Sequence, residues 1–234
     1  MIRFVPATGS TNADLLALGG DAREGDWLVA RRQSAGRGRA GRVWFDGAGN
    51  FMGSTVVALQ PGDPAAPTLA LVTGLAVFES IATIHGLPER LMLKWPNDVL
   101  LDGAKLAGIL LERAGDVVVI GVGVNLARAP GMPGRTTAAL ADVGLEIAVE
   151  DFAERLAVRL TMRLDAWRNG GWPWIRTDWL ARAHSPGTLL EIKDRDGAPI
   201  RGAFAGLGDD GTLHLRLADG SARAISAGDV ELVA

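Results

Sequence analysis

Cysteine is absent from the 234-residue sequence. Disulfides, thiol nucleophiles and cysteine-based zinc sites are thereby excluded. Histidine is scarce: His85, His184 and His214 lie far apart and make no metal-ligand spacing. There is no excess of basic charge. The formal net charge is −3, which supplies no global drive toward nucleic acid but leaves a local basic patch open. The opening residues, MIRFVPATGS, lack a basic stretch followed by a long apolar core, so no secretory signal is read there. Apolar runs are broken by glycine, proline or charge well short of a membrane span. The expectation is a cytoplasmic soluble protein with no membrane association.

What is present suits a packed core: 48% of residues are hydrophobic and 22% charged. The length fits one main domain with a small appendage. Strands are expected at residues 2–5, 27–30, within 50–59, and at 91–95. A short helix is expected after the cluster Thr8-Gly9-Ser10-Thr11-Asn12. Residues 68–85 recur with helical period and are stopped by Gly86 and Pro88. Val99–Leu101 and Lys105–Leu111 flank Asp102-Gly103, a hairpin signal. With 117–124 they predict an antiparallel meander rather than βαβ units. From Asp151, the stripe Phe152, Leu156, Leu160, Leu164, Trp167 predicts a long helix that stops at Gly170-Gly171. A second helix is expected over 174–183. After Ser185-Pro186-Gly187, turns at Asp196-Gly197, Asp210-Gly211 and Asp219-Gly220 predict about five short strands of barrel type. The expected division is therefore 1–184 and 185–234.

Residues 36–42 read Gly-Arg-Gly-Arg-Ala-Gly-Arg. Gly36, Gly38 and Gly41 formally satisfy G-x-G-x-x-G. A dinucleotide site, however, needs a helix directly after it, and Val43-Trp44-Phe45-Asp46-Gly47 has no helical period. The dinucleotide reading is rejected. Glycines allow close backbone approach, and Arg37, Arg39 and Arg42 offer forks suited to phosphate and carboxylate oxygens. A loop that closes over an anion is favoured over a solvated turn.

Four further segments draw attention. Lys94-Trp95-Pro96-Asn97-Asp98 groups a cation, an amide and a carboxylate about a stiff proline; a strand end and turn explain it equally well. Lys105 heads the apolar run Leu106-Ala107-Gly108-Ile109-Leu110-Leu111, where snorkelling to water suffices. Gly121-Val122-Gly123-Val124-Asn125 places glycines within a strand, as close ligand approach requires. Ser10, Thr11 and Asn12 are explained by helix capping alone, with Asp14 completing a box from Thr11.

Taken together, in this order and spacing over residues 8–125, these segments resemble the catalytic domain of biotin–protein ligases. The C-terminal β unit fits that family's SH3-like appendage. The resemblance implies an α+β fold: a mixed, mainly antiparallel sheet with packed helices, of the class II aminoacyl-tRNA synthetase and biotin ligase type, plus a small SH3-like β-barrel. It implies ATP-dependent formation of biotinyl-5′-AMP and pyrophosphate, then transfer of biotin to a lysine of biotin carboxyl carrier protein. ATP, biotin and Mg²⁺ are the implied small molecules; the metal's ligands are not assigned. Biotin would be held by Ser10, Thr11, Asn12, Gln33, Gly36, Arg37, Gly38, Arg39, Trp44, Lys105 and Gly108. ATP would meet Arg37, Arg39, Arg42, Lys94, Asn97, Lys105 and Asn125, the last reading adenine. Arg39, Lys105 and Asp98 are the implied catalytic groups, with Asp98 orienting the acceptor lysine. Many family members carry a second arginine where Ala40 stands. The family's DNA-binding helix-turn-helix has no counterpart before residue 8, so no DNA binding is expected; homodimerisation is left open. Two rivals remain: a lipoate–protein ligase, and a nucleic-acid-binding module suggested by Arg-rich 31–42 and the small barrel.

Overall fold

Strand periodicity builds the frame. In this computed structural model, which describes residues 1–83, 87–131, 136–193 and 198–233, seven strands form one sheet. They are β1 (Ile2–Val5), β2 (Trp27–Ala30), β3 (Phe51–Ala58), β4 (Leu91–Lys94), β5 (Asp98–Leu101), β6 (Ala104–Ala114) and β7 (Val117–Val124). Their order is β1-β2-β3-β7-β6-β5-β4. Only β1 and β2 are parallel; β4 to β7 form the expected antiparallel meander. Its hairpin turns on Asp102 and Gly103, both at positive φ (50° and 79°), as a two-residue loop with right-handed strand twist demands.

The sheet has two unlike faces. On β7, Ile120, Val122 and Val124 join the main apolar core, while Gly121 and Gly123 turn to the other side. The core face is covered by α2 (Thr68–Ala82), apolar around nearly its whole circumference. Beside α2 lies α3 (Val149–Ala166), whose stripe Phe152, Leu156, Leu160 and Leu164 is buried, with the Phe152 ring 5.1 Å from that of Phe51 on β3. Each such side chain contributes about 2 kcal/mol by leaving water. The opposite face carries the short helix α1 (Thr11–Leu18) over a smaller cluster of Leu15, Leu28, Val56 and Val119.

Several element ends differ from expectation. The cap of α1 is Ser10, whose Oγ accepts from Ala13 N, and not a Thr11–Asp14 box; Asp14 instead accepts from Thr8 Oγ1. α3 starts at Val149, with Glu150 and Asp151 in the first turn, where the helix dipole favours acids. Gly170-Gly171 widens one turn, and α4 (Trp172–Leu180) follows at once, because Pro173 is tolerated in a first helical turn. The 68–85 helix is seen to Ala82; His85 and Gly86 lie outside the described residues, as does the Asp196-Gly197 turn.

The C-terminal strands β8 (Leu189–Lys193), β9 (Ile200–Leu207), β10 (Leu213–Arg216), β11 (Ala222–Ile225) and β12 (Asp229–Leu232) make an antiparallel sheet ordered β11-β10-β9-β8-β12. Asp210 and Asp219 each fold a turn by accepting from the backbone two residues on. This unit does not keep a private core: Leu190, Phe204 and Leu213 belong to the same buried cluster as the main sheet. Trp95 Nε1 donates to Gly211 O at 2.9 Å and Trp172 Nε1 to Asp209 O at 2.6 Å, tying the two sheets together. No helix among the described residues is long and apolar enough to cross a membrane.

Candidate active site

A floor without side chains is the first requirement of a deep site in a sheet. Register sets Gly108 of β6 opposite Gly123 of β7, and Gly121 opposite Ser54 of β3. A Cβ at residue 123 would fall on the Trp44 ring, and one at residue 121 on Asn12 Oδ1. Above this floor lies a cavity of about 220 Å³.

One end of the cavity is polar and neutral. The start of α1 delivers Ser10, Thr11 and Asn12, all buried. Gln33 Oε1 accepts from Thr11 N at 2.8 Å and lies 3.2 Å from Thr11 Oγ1. Because an amide N–H can only donate, Gln33 must present its oxygen to Thr11 and keep its NH₂ for the other side. Asp46 Oδ1 holds the Gln33 backbone N–H at 3.0 Å. Thr11 Oγ1 lies 2.6 Å from Ser54 Oγ, which donates to Asn12 Oδ1 at 2.5 Å.

The other end is cationic. Arg37, Arg39, Arg42 and Lys105 line it against two carboxylates, Asp98 and Asp229, an excess of two positive charges. The Gly/Arg loop is a tight excursion: Gly38 N donates to Arg42 O at 2.6 Å and Trp44 N to Gly36 O at 2.9 Å. Ala40 takes the left-handed conformation (φ 59°), followed by Gly41 at φ 73°. Gly41 accepts such a turn freely, whereas the Cβ of Ala40 carries a steric cost of about 1 kcal/mol. Arg39 Nη1 donates to Asn97 Oδ1 and to Gly228 O, both at 3.3 Å. Lys105 Nζ meets Asp98 Oδ1 at 2.5 Å and sits 5.8 Å from the Trp44 ring centroid. The Trp44 Nε1 is buried with no hydrogen-bond partner among the described residues.

The structure brings most of the sequence-selected residues to this cavity, with informative exceptions. Gly36 does not line it; it lies behind Gln33 and accepts from Trp44 N. Lys94 does not line it either. Its charge bears instead on His184, whose imidazole is held below the ordinary range first by burial and then by Lys94. Arg42 reaches the cavity wall, but both fork nitrogens are spent on Asp229, at 2.7 and 2.8 Å. That hydrogen bonding holds its guanidinium above the usual value, against burial. Asn125 gives its Nδ2 to Ala138 O at 3.1 Å and Lys105 O at 3.5 Å, clamping the far wall where Thr137 and Pro130 lie. Sequence reasoning missed Ser54, Asp229 and Glu112. Ser54 had a faint signal, a hydroxyl in a strand of apolar neighbours; Asp229 had none.

With this geometry in hand, comparison with known proteins is informative. Residues 6–125 match the Biotin/lipoate A/B protein ligase family and residues 191–233 the Biotin protein ligase C terminal domain. The biotin–[acetyl-CoA-carboxylase] ligase of Paracoccus denitrificans is 41% identical over 223 residues, covering 89% of this chain and 91% of that protein. Its namesake from Mycobacterium tuberculosis is 38% identical, covering 97% and 86%. The structure of biotin protein ligase from Aquifex aeolicus in complex with biotin and ATP superposes with a TM-score of 0.86 at 24% identity, covering 99% of this chain and 98% of that one. The fold is thus the biotin protein ligase fold, and the C-terminal sheet is SH3-like.

Proposed function

The chain belongs to the biotin/lipoate A/B protein ligase family, and on that premise we propose that it is an ATP-dependent biotin–[acetyl-CoA-carboxylase] ligase. The observation that carries this reading is the split character of one cavity. Its neutral end offers amide and hydroxyl groups to a ureido ring, and its cationic end suits a carboxylate beside a phosphate. The dithiolane of lipoate brings no N–H or C=O to the neutral end, which favours biotin over the lipoyl alternative.

In the first step a biotin carboxylate oxygen attacks the α-phosphorus of ATP, and pyrophosphate leaves. Two unit charges about 4 Å apart repel by roughly 4 kcal/mol at an effective dielectric of 20. Removing that repulsion is worth about three powers of ten in rate. Arg37, Arg39 and Lys105 supply the opposing charge, and Arg39 and Lys105 are already oriented by their partners, so little reorganisation of those two is needed. Asn97 fixes Arg39. Magnesium enters with the nucleotide as MgATP: both cavity carboxylates are already ion-paired and the described residues hold no group of three potential metal ligands.

The mixed anhydride then has to be kept from water. Trp44, resting on Gly123, and the closed Gly/Arg loop form its cover. In the second step the acceptor lysine nitrogen attacks the acyl carbon, AMP leaves, and the amine gives up a proton from a group with a pKa of about 10.4. Asp98 is the proposed orienting carboxylate; since Oδ1 is on Lys105, its Oδ2 takes the amine. The acceptor is the biotin carboxyl carrier protein of the carboxylase. Arg42 acts on ATP only through the loop it latches, and Gly36 and Lys94 act from behind the cavity. Asn125 shapes the wall proposed to face adenine. We assign residues 1–184 to this catalytic unit and 185–234 to the SH3-like unit, a division supported by the separate spans of the two family matches.

The test is ATP–pyrophosphate exchange with biotin or lipoate, followed by mass analysis of a carrier domain. Biotin-dependent exchange and a biotinylated lysine are expected; exchange with lipoate alone, or with neither acid, overturns the reading.

A further inference from the structure

Glu112 lies on β6 next to the polar end of the cavity without lining it. Strand pairing puts it on the cavity side of the sheet, two residues beyond Leu110, which does line the cavity. Its Oε2 accepts from Asn12 Nδ2 at 2.8 Å across one hundred positions of sequence. Asn12 is buried, so its orientation is not averaged by water.

A carboxylate can only accept, whereas an amide can present either end. Glu112 therefore removes a choice. With Nδ2 committed to Glu112, Asn12 Oδ1 must face Ser54 and the floor at Gly121. Ser54 then donates to Oδ1, and Thr11 in turn donates to Ser54 across 2.6 Å. The chain of bonds runs from Thr11 to Ser54 to Asn12 to Glu112, whose carboxylate can only accept; the one Thr11 hydroxyl hydrogen goes to Ser54 at 2.6 Å rather than to Gln33 Oε1 at 3.2 Å. What remains for a ligand is a set of lone pairs on Asn12, Ser54 and Thr11. The free donors lie on the far side, at Gln33 Nε2 and the Ser10 hydroxyl, whose oxygen already caps α1.

We propose that Glu112 is a positioning residue that sets the hydrogen-bond polarity of the ureido site, fixing it to accept N–H groups on the Asn12 side and to donate to C=O on the Gln33 side. This rests on the biotin ligase reading above. It deepens that reading by making recognition of the ring depend on a charge that never touches it.

The experiment measures biotin-dependent ATP–pyrophosphate exchange, with KM for biotin, KM for ATP and kcat taken separately. Full-length wild type, Glu112→Gln, Glu112→Ala, Asn12→Asp and the double variant Asn12→Asp with Glu112→Gln are compared, each with its melting temperature. Glu112→Ala is expected to raise the biotin KM by about tenfold, the size of one lost charge-assisted hydrogen bond. Its kcat and ATP KM should stay within about twofold. Glu112→Gln, which can face either way, should raise the biotin KM less. Asn12→Asp sets two carboxylates together and should be worse than Glu112→Ala. The double variant reverses the donor while keeping an oxygen toward the ring, and should recover most of the lost affinity. An unchanged biotin KM in Glu112→Ala, or a double variant no better than Asn12→Asp, overturns the proposal. Should Glu112→Ala fail to fold, the two isosteric variants decide by the same criterion. Absence of exchange in the wild type would instead overturn the ligase reading itself, and this proposal with it.

Discussion

Replacing Asp229 by Asn should loosen the cover of the reaction without touching its chemistry. Asp229 lies at the start of β12 and grips Arg42 of the Gly/Arg loop through two hydrogen bonds, 187 positions away in sequence. Oppositely charged groups about 4 Å apart attract by roughly 1 kcal/mol in water and 4 kcal/mol at an effective dielectric of 20. The two side chains are 33% and 37% exposed, so solvent screening keeps the contribution near the lower figure, about 1 kcal/mol. Because Asn keeps the shape and one acceptor, the predicted effect is roughly a fivefold increase in the opened loop. Without a carrier protein, biotinyl-5′-AMP should then appear in solution about fivefold faster, measured by rapid filtration and chromatography. Backbone amides of residues 36–44 should exchange faster by a similar factor. The pair is exposed enough to feel salt. At about 1 M, where the Debye length is about 3 Å, wild type and variant should converge. Equal release from the two proteins at low salt, or a difference that high salt leaves intact, would refute the reasoning.

Three further outcomes are expected. Gly123→Ala puts a methyl into the Trp44 ring; overpacking of about 1–3 kcal/mol should displace the indole and cut exchange activity at least tenfold, while Gly62→Ala, on an exposed turn with nothing among the described residues within 4 Å of the added methyl, serves as a control for the exchange assay. Asp98→Asn should slow transfer from preformed biotinyl-5′-AMP to the carrier lysine by about a hundredfold, and a rate equal to wild type would withdraw the orienting role. His184 has its folded pKa depressed below 6.5 by burial and by Lys94, so the unfolded chain takes up the proton first. The stability held by its neutral ring is complete above pH 6.5 and is lost as pH falls toward the lowered folded value. Denaturant melts across that window should show wild type losing more stability than His184→Gln; parallel losses would contradict the assignment.

Much of the fold was legible because local patterns carry it. The alternation of glycine and valine in 121–124 already separates a ligand face from a core face, and the period of Phe152, Leu156, Leu160 and Leu164 already specifies a packed stripe. The Asp102-Gly103 dipeptide was a sufficient instruction for its hairpin. Helix ends were less legible. Gly170-Gly171 reads as a stop, yet the chain continues into α4 because Trp172 finds a buried place and Pro173 a tolerated one.

The sequence alone determined which chemistry was available. With no cysteine, and with glycine and arginine concentrated in one loop, it pointed to an anion-handling loop and excluded thiol chemistry. Only the tertiary structure decided which groups are spent on the protein and which are left for a ligand. Arg42 spends both fork nitrogens on Asp229, whereas Asn12 gives only its Nδ2 to Glu112 and keeps its oxygen, and Lys105 gives one N–H to Asp98 and keeps the others, over separations of 187, 100 and 7 positions. The physical reason is that a side chain's pattern along the chain reveals the face it points to. Its partner is set by the order in which the strands are laid side by side, and that order arises from packing the whole molecule.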